Sequence, residues 1–293
     1  MKYLGWSLLV LVLGGWARAD GGGVEFKGGC FLMGAEEGGY CEERPAHPVC
    51  IDSFVIDATE VTNEQYGACV RAGVCRPTGW PRSGILPGPR EPVTMISWED
   101  ARRYCAFVGA RLPTEAEWEY AGRAGDGRYY PWGDARPTCQ DANFGAWPTW
   151  GHRCSGQYWC RQARACRGQN PGHPEPVASR PRDRSPAGVY DLSGNVAEWV
   201  ADYFDPTYFQ DAPFLRPMGP AQGHARTVRG GSWDSPAWNI RLTARMPVDP
   251  SERLRNVGFR CARTLRRDAP EQPPELTRRG VGCTRTPASL AQR

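Results

Sequence analysis

Lysine is nearly absent from this chain: among 293 residues only Lys2 and Lys27 carry it, against 34 arginines. With 36 basic and 32 acidic side chains the formal net charge is only +4, without a block of one sign, so nucleic acid is not expected as a partner. Arginine's planar fork suits carboxylate and phosphate recognition, but a surplus dispersed along the whole chain reads as a general surface preference. Long apolar runs are missing as well. The longest, Leu4 to Trp16, is interrupted by Gly14 and Gly15 and falls short of the roughly twenty residues that cross a bilayer. None of the 12 cysteines forms a C-x-x-C pair, and His47, His152, His173 and His224 form no H-x-x-x-H pair. These absences argue against a zinc cluster and a thioredoxin-like site.

What is present begins with Lys2, the apolar run, and Ala17-Arg18-Ala19 before Asp20. That is the order of a charged region, a hydrophobic region and a small-residue cleavage site. Residues 1–19 are therefore expected to be a cleaved signal peptide. Cys30 lies too far past the cut to serve a lipid anchor, so the predicted product is secreted or periplasmic, with no stable membrane anchor after cleavage. In such a compartment an even number of cysteines predicts disulfides, whose connectivity counting cannot deduce.

An apolar content of 40% supports a folded core. Val24 to Gly34 and Cys50 to Ile56 read as short strands in a hairpin-like start. Thr62 followed by Gln65 opens a helix that runs through Val70 and stops at Gly73. Cys69 and Cys75 flank that stop, close enough to form a bridge, Cys69–Cys75. Ser97 opens a second helix, with Ala101, Tyr104, Cys105 and Val108 on one face up to Gly109. Thr114 and Glu117 form a further capping box for a third, to Ala121. From Tyr130 onward glycine, proline and tryptophan predict turns and short strands. Cys139, Cys154, Cys160 and Cys166 brace a Cys-rich insertion at about 139–170, with zinc there the sharper alternative. Residues 264–293 read as a polar, Pro/Arg-rich tail, pinned if Cys283 is bridged.

Several separated segments resemble the formylglycine-generating enzyme family, also called sulfatase-modifying factors. They include Phe31-Leu32-Met33-Gly34, Glu60-Val61-Thr62-Asn63 and Arg111 through Ala121. Tyr130-Pro131-Trp132-Gly133, Asp191 with Ser193 to Val196, Glu198-Trp199, Arg229 to Trp233 and Asn256 to Cys261 follow in the family's order. The resemblance spans residues 24–263. It implies an α+β, disulfide-rich domain with little regular secondary structure, a variant of the C-type-lectin-like fold, and it implies a Cys105–Cys261 bridge.

The resemblance also implies a structural calcium site with side chains from Asp191 and Glu198 and carbonyls from Gly194 and Val196. Two carboxylates across a glycine-bearing turn suit a hard cation, although both could instead cap turns. A second family site begins at Asn143 and Phe144, and its distant acidic partner is not recognisable. The family's oxidases hold copper on two cysteines just after the Gly-Gly-Ser segment, because soft thiolates bind Cu(I) well. Here the first of these positions is Ser235, and no cysteine lies between Cys166 and Cys261. Copper-dependent oxidation of a substrate cysteine to formylglycine is therefore not expected. Related non-haem iron enzymes use histidine ligands on an extra helical domain, whereas the four histidines here are scattered and make no such pair. A serine hydrolase built on Ser232 or Ser235 has no signature for its base.

What remains is a ligand pocket lined by Trp233, Asp234, Ser235, Trp238, Asn239 and Arg241, unless the tryptophans are core. Two functions stay open. One is an exported binding or accessory module for a peptide, a glycan or a small molecule. The other is a noncanonical enzyme acting on an exported peptide or sulfatase-like substrate, with Asp234, Ser235, Glu198 and Arg241 as candidate catalytic groups.

Overall fold

The computed structural model describes residues 22–36, 39–79, 87–123, 125–145 and 172–271. Residues 1–19, expected to be a signal peptide, Cys154, Cys160, Cys166, Cys283 and the chain past residue 271 lie outside the described residues. Helices α1 (Asn63–Arg71), α2 (Trp98–Phe107) and α3 (Glu115–Arg123) begin where their capping boxes predict. Thr62 N–H donates to Gln65 Oε1 at 2.8 Å, Ser97 N–H to Asp100 Oδ2 at 3.1 Å and Thr114 N–H to Glu117 Oε2 at 2.8 Å. Each box satisfies amides that a helix start leaves without partners, worth about 1 kcal/mol.

Strands β1 (Gly23–Phe26) and β2 (Gly29–Met33) occupy the stretch expected to be one strand. The break falls at Gly28, whose N–H donates to Ser53 Oγ at 2.8 Å, and where a Cβ would sit 2.7 Å from Asp268 Oδ1. β2 pairs antiparallel with β3 (His47–Ile51), while β1 pairs antiparallel with β4 (Ser53–Asp57). After α3 come β5 (Ala197–Tyr203), the one-turn helix α4 (Tyr208–Asp211), β6 (Arg226–Arg229), β7 (Arg245–Val248), β8 (Val257–Phe259) and β9 (Ala262–Arg266). They form a four-stranded sheet in the order β7-β6-β5-β8, with β5 and β8 parallel, while β9 completes a β1-β4-β9 sheet. The result is α+β, with few helices.

Residues past 263, expected to leave the domain as a tail, continue it. β9 runs through Arg266, Asp268 accepts from Ser53 N–H and Oγ at 2.7 Å each, and Ala269 N–H donates to Asp52 Oδ1 at 2.9 Å. Composition alone misses such fastening because the partners lie more than 200 residues away.

Bridges Cys69–Cys75 and Cys105–Cys261 are present, joined by Cys30–Cys50 across facing residues of β2 and β3. Cys139 is disulfide-bonded as well. One buried cluster holds Phe26, Phe54, Trp118 and Leu192, where α3 packs on the N-terminal strands. A second joins Tyr66, Tyr104, Trp199 and Phe259 around the Cys105–Cys261 bridge.

The arginine surplus is not confined to the surface. Arg123, Arg229, Arg241, Arg245 and Arg260 are buried. Arg229 pairs with Glu115 at 3.0 Å and Glu119 at 2.6 Å, Arg245 with Glu115 at 2.7 Å and Arg123 with Glu119 at 2.7 Å. Helix α3 thus presents two buried carboxylates to three guanidiniums. Buried ions need such complete pairing, since an uncompensated charge there costs several kcal/mol.

Candidate functional site

β6 is followed by Gly230 and Gly231, with φ of +83° and +65°. A Cβ on Gly231 would lie 2.6 Å from the Asn239 carbonyl oxygen, so the turn requires glycine for both conformation and space. It sends Ser232 to Ser235 into a compact loop that precedes a 3-10 turn at Ala237–Ile240. Ser232 N–H donates to Ser235 Oγ at 3.0 Å, and the two hydroxyls lie 2.9 Å apart. Ser232 Oγ donates to Asp234 Oδ1 at 2.6 Å, and Asn256 Nδ2 donates to the same oxygen at 2.9 Å. Two hydroxyls therefore lead in a chain to one half-buried carboxylate.

The six residues expected to line a pocket lie along this loop and the 3-10 turn after it, with unequal access. Trp233, Ser235 and Arg241 are buried, whereas Asp234, Trp238 and Asn239 are half-buried. Arg241 is not available as an anion anchor. Its Nη1 and Nη2 donate to Glu43 at 2.5 and 2.7 Å, and Thr243 Oγ1 joins the same carboxylate at 2.7 Å. The guanidinium also lies 4.0 Å over the Trp238 ring. Sequence reasoning missed Glu43 because it is 198 residues from Arg241. It also missed Tyr40, whose hydroxyl donates to Asn239 Oδ1 at 2.9 Å and whose ring meets Trp238 edge-on at 6.4 Å. Arg255, lying 5.0 Å over the Trp233 ring, completes the exposed rim.

The expected calcium ligands sit in a separate, buried acidic cluster. Asp191 adopts a φ of +57°, and its Oδ2 accepts Ala178 N–H at 2.6 Å. Glu198 does not face an open site. Its carboxylate takes a bidentate pair from Arg260 at 2.6 and 2.7 Å and the Trp118 indole N–H at 3.0 Å. Glu60, which sequence reasoning did not single out, accepts from Asn195 Nδ2 at 3.2 Å and Val196 N–H at 3.3 Å. Asp183 accepts Ser193 N–H at 3.3 Å. Burial, with Asp191 and Glu198 nearby, holds Glu60 well above the usual carboxylate range. Burial and Asp191 do the same to Asp183, and burial pushes Asp191 up to about 6.

Four carboxylates thus surround the single Arg260 guanidinium. Asn143 Nδ2 donates to Asn195 Oδ1 at 3.3 Å, while Asn143 Oδ1 and Asp183 Oδ1 are buried acceptors without a donor among the described residues. Phe144, the other residue of the second expected site, packs in an apolar cluster with Tyr130 and Ile240. Among the described residues no three His, Cys, Asp or Glu side chains are placed to hold one metal ion. The donor set consists of oxygens and carries excess negative charge, which fits a hard cation in chemistry. Glu198 could serve one only by exchanging its Arg260 and Trp118 bonds.

Among the described residues no helix is long and apolar enough to cross a membrane. Residues 18–265 match the sulfatase-modifying factor enzyme 1-like domain. The chain is 35% identical to the formylglycine-generating enzyme of Streptomyces coelicolor over 84% of its length and 90% of the relative's. It is 30% identical to the inactive C-alpha-formylglycine-generating enzyme 2 of Bos taurus, over 87% of this chain and 94% of that one. The solved structure of PvdO from Pseudomonas aeruginosa superposes with a TM-score of 0.66 at 30% identity, covering 83% of this chain and 94% of PvdO. The chain belongs to the formylglycine-generating, sulfatase-modifying factor family.

Proposed function

We propose that this family member is exported, lacks copper-dependent cysteine oxidation, and serves as a binding or accessory module for a peptide, glycan or small ligand. The observation that carries this reading is Ser235. The family resemblance puts it where the first copper cysteine would fall, and it is buried, with its hydroxyl held by Ser232. A hydroxyl in a closed bond pattern is a poor substitute for a thiolate toward Cu(I). The half-buried Trp238 and Asn239, which meet Tyr40, and the half-buried Asp234 offer an aromatic face with a few polar groups, which suits recognition. Similarity to relatives named as an active and as an inactive enzyme is compatible with loss of the oxidation. Tryptophan fluorescence, titrated with peptide and glycan panels, tests the proposal. A ligand whose binding weakens at least about tenfold in Trp238→Ala supports it; ligands that bind equally to both proteins contradict it.

A second reading rests on the hydroxyl chain. Ser235, Ser232 and Asp234 are connected so that a proton leaving Ser235 could pass to Asp234, as a noncanonical enzyme acting on an exported peptide would use. Turnover of such a substrate that disappears in Asp234→Ala would favour it.

Structural calcium is part of the proposal. The cation would use Asp191 with the Gly194 and Val196 carbonyls, offsetting the excess negative charge around Arg260, with Glu198 rearranging to join. Elemental analysis of the purified protein and its melting temperature with and without a chelator test this. About one calcium per chain and a lower melting temperature on chelation are expected. Metal-free protein with unchanged melting would contradict it.

A further inference from the structure

A second cleft, sharing no lining residue with the Trp233–Arg241 group, opens between β9 and the turn at residues 216–218. It has a volume of about 260 Å³, and its walls include Asp52, Arg111, Arg216, Met218, Thr264 and Arg267. Three guanidiniums face two carboxylates there, Asp52 and Glu117. Arg111 is spent on Glu117, with bonds of 2.7 and 2.6 Å, and on Thr264 Oγ1 at 2.6 Å. Arg216 uses only Nε, which donates to Asp52 Oδ2 at 2.8 Å, so its terminal nitrogens remain open among the described residues. Arg267 is exposed and forms no ion pair among the described residues.

The positions of Asp52 and Arg216 are set by the fold. Asp52 holds Arg216 through one oxygen and Ala269 N–H through the other, and Arg216 itself has a φ of +50°. That left-handed conformation costs a non-glycine residue energy, and such strain tends to gather at binding sites. Nearby acids do not close the cleft: Asp268 is turned into Ser53, while Glu271 acts on Arg216 only at longer range. Met218 stands beside the guanidiniums 67% exposed, next to Pro217. An open pair of guanidiniums adjoining an apolar step matches an oxyanion carried on an apolar group. Planar forks favour a carboxylate, which can accept two bonds from each, and a volume of about 260 Å³ accommodates the last residue of a chain.

We propose that this cleft binds the terminal carboxylate of a peptide that ends in an apolar residue. The carboxylate bridges Arg216 and Arg267, and the final side chain lies on Pro217 and Met218.

The test uses the full chain and a tetrapeptide ending in leucine, fluorescently labelled at its N-terminus, as free acid and as C-terminal amide. Fluorescence anisotropy reads binding, and inorganic phosphate serves as competitor. The free acid is expected to bind about tenfold or more tightly than the amide. Arg267→Gln is expected to remove most of that preference, and Met218→Ser to weaken the free acid severalfold. Both residues are exposed, so melting temperatures matching the parent establish that neither loss reflects unfolding. Equal binding of acid and amide, absence of binding at millimolar peptide, or unchanged affinity in Arg267→Gln would overturn the proposal. Phosphate binding as tightly as the peptide would overturn its apolar half.

Discussion

Asp202 shows how far burial governs individual side chains in this protein. Burial, followed by the neighbouring Glu115 carboxylate, pushes its pKa up to about 8 from the ordinary 3.8, while Glu115 N–H donates to its Oδ2 at 2.8 Å. A carboxyl group that binds its proton more tightly when folded makes stability fall as pH rises. The loss begins near the ordinary carboxylate value and is complete above about 8. Asp202→Asn keeps an acceptor for Glu115 but cannot ionise. Its stability relative to the parent is therefore expected to improve between pH 5 and pH 8, by on the order of 2 to 4 kcal/mol. Urea melts at the two pH values check this; the same difference at both would contradict it. Arg241 gives a second residue-scale outcome. Its pair with Glu43 is buried, so Arg241→Ala should destabilise by about 3 to 5 kcal/mol, whereas joint replacement of both partners by apolar residues should restore much of the loss. Such restoration marks a structural pair rather than a ligand anchor.

At the scale of elements, the helix starts and one bridge were legible from neighbouring residues. Thr62, Ser97 and Thr114 announce α1, α2 and α3 because a capping box is complete within four positions. Cys69–Cys75 was legible for the same reason, with its partners only 6 apart. Cys105–Cys261, separated by 156 residues, could be placed only by family resemblance. Cys30–Cys50 was missed because it depends on the pairing of β2 with β3, which the sequence pattern left unspecified. These separations also order the bridges energetically. In the chain-entropy model, losing Cys105–Cys261 costs about 5 kcal/mol and losing Cys69–Cys75 about 2. Denaturant melts of the two double Cys→Ala variants should preserve that order; equal losses would show that strain or denatured-state structure dominates.

The whole molecule holds two kinds of buried charge, linked where Trp118 of α3 donates to Glu198. The α3 carboxylates are matched by Arg123, Arg229 and Arg245, while the cluster around Asp191 carries four carboxylates for Arg260 alone. Only the Glu119–Arg123 pair, four apart on α3, was readable from spacing. The other members are scattered along the chain, so their pairing becomes visible only in the fold. The Gly-Gly-Ser loop was readable because its residues are consecutive. What sequence could not supply was access: burial withdraws Trp233, Ser235 and Arg241 and leaves Asp234, Trp238 and Asn239 at the rim.

We propose that this family scaffold, with Ser235 where the first copper cysteine would fall, does not oxidise cysteine. The direct measurement is to incubate the purified protein with copper and a cysteine-containing sulfatase-type peptide, and to follow the peptide by mass spectrometry beside the Streptomyces coelicolor enzyme. The account predicts aldehyde in the control and unmodified peptide with this protein. Aldehyde formed by this protein at a catalytic rate would contradict it.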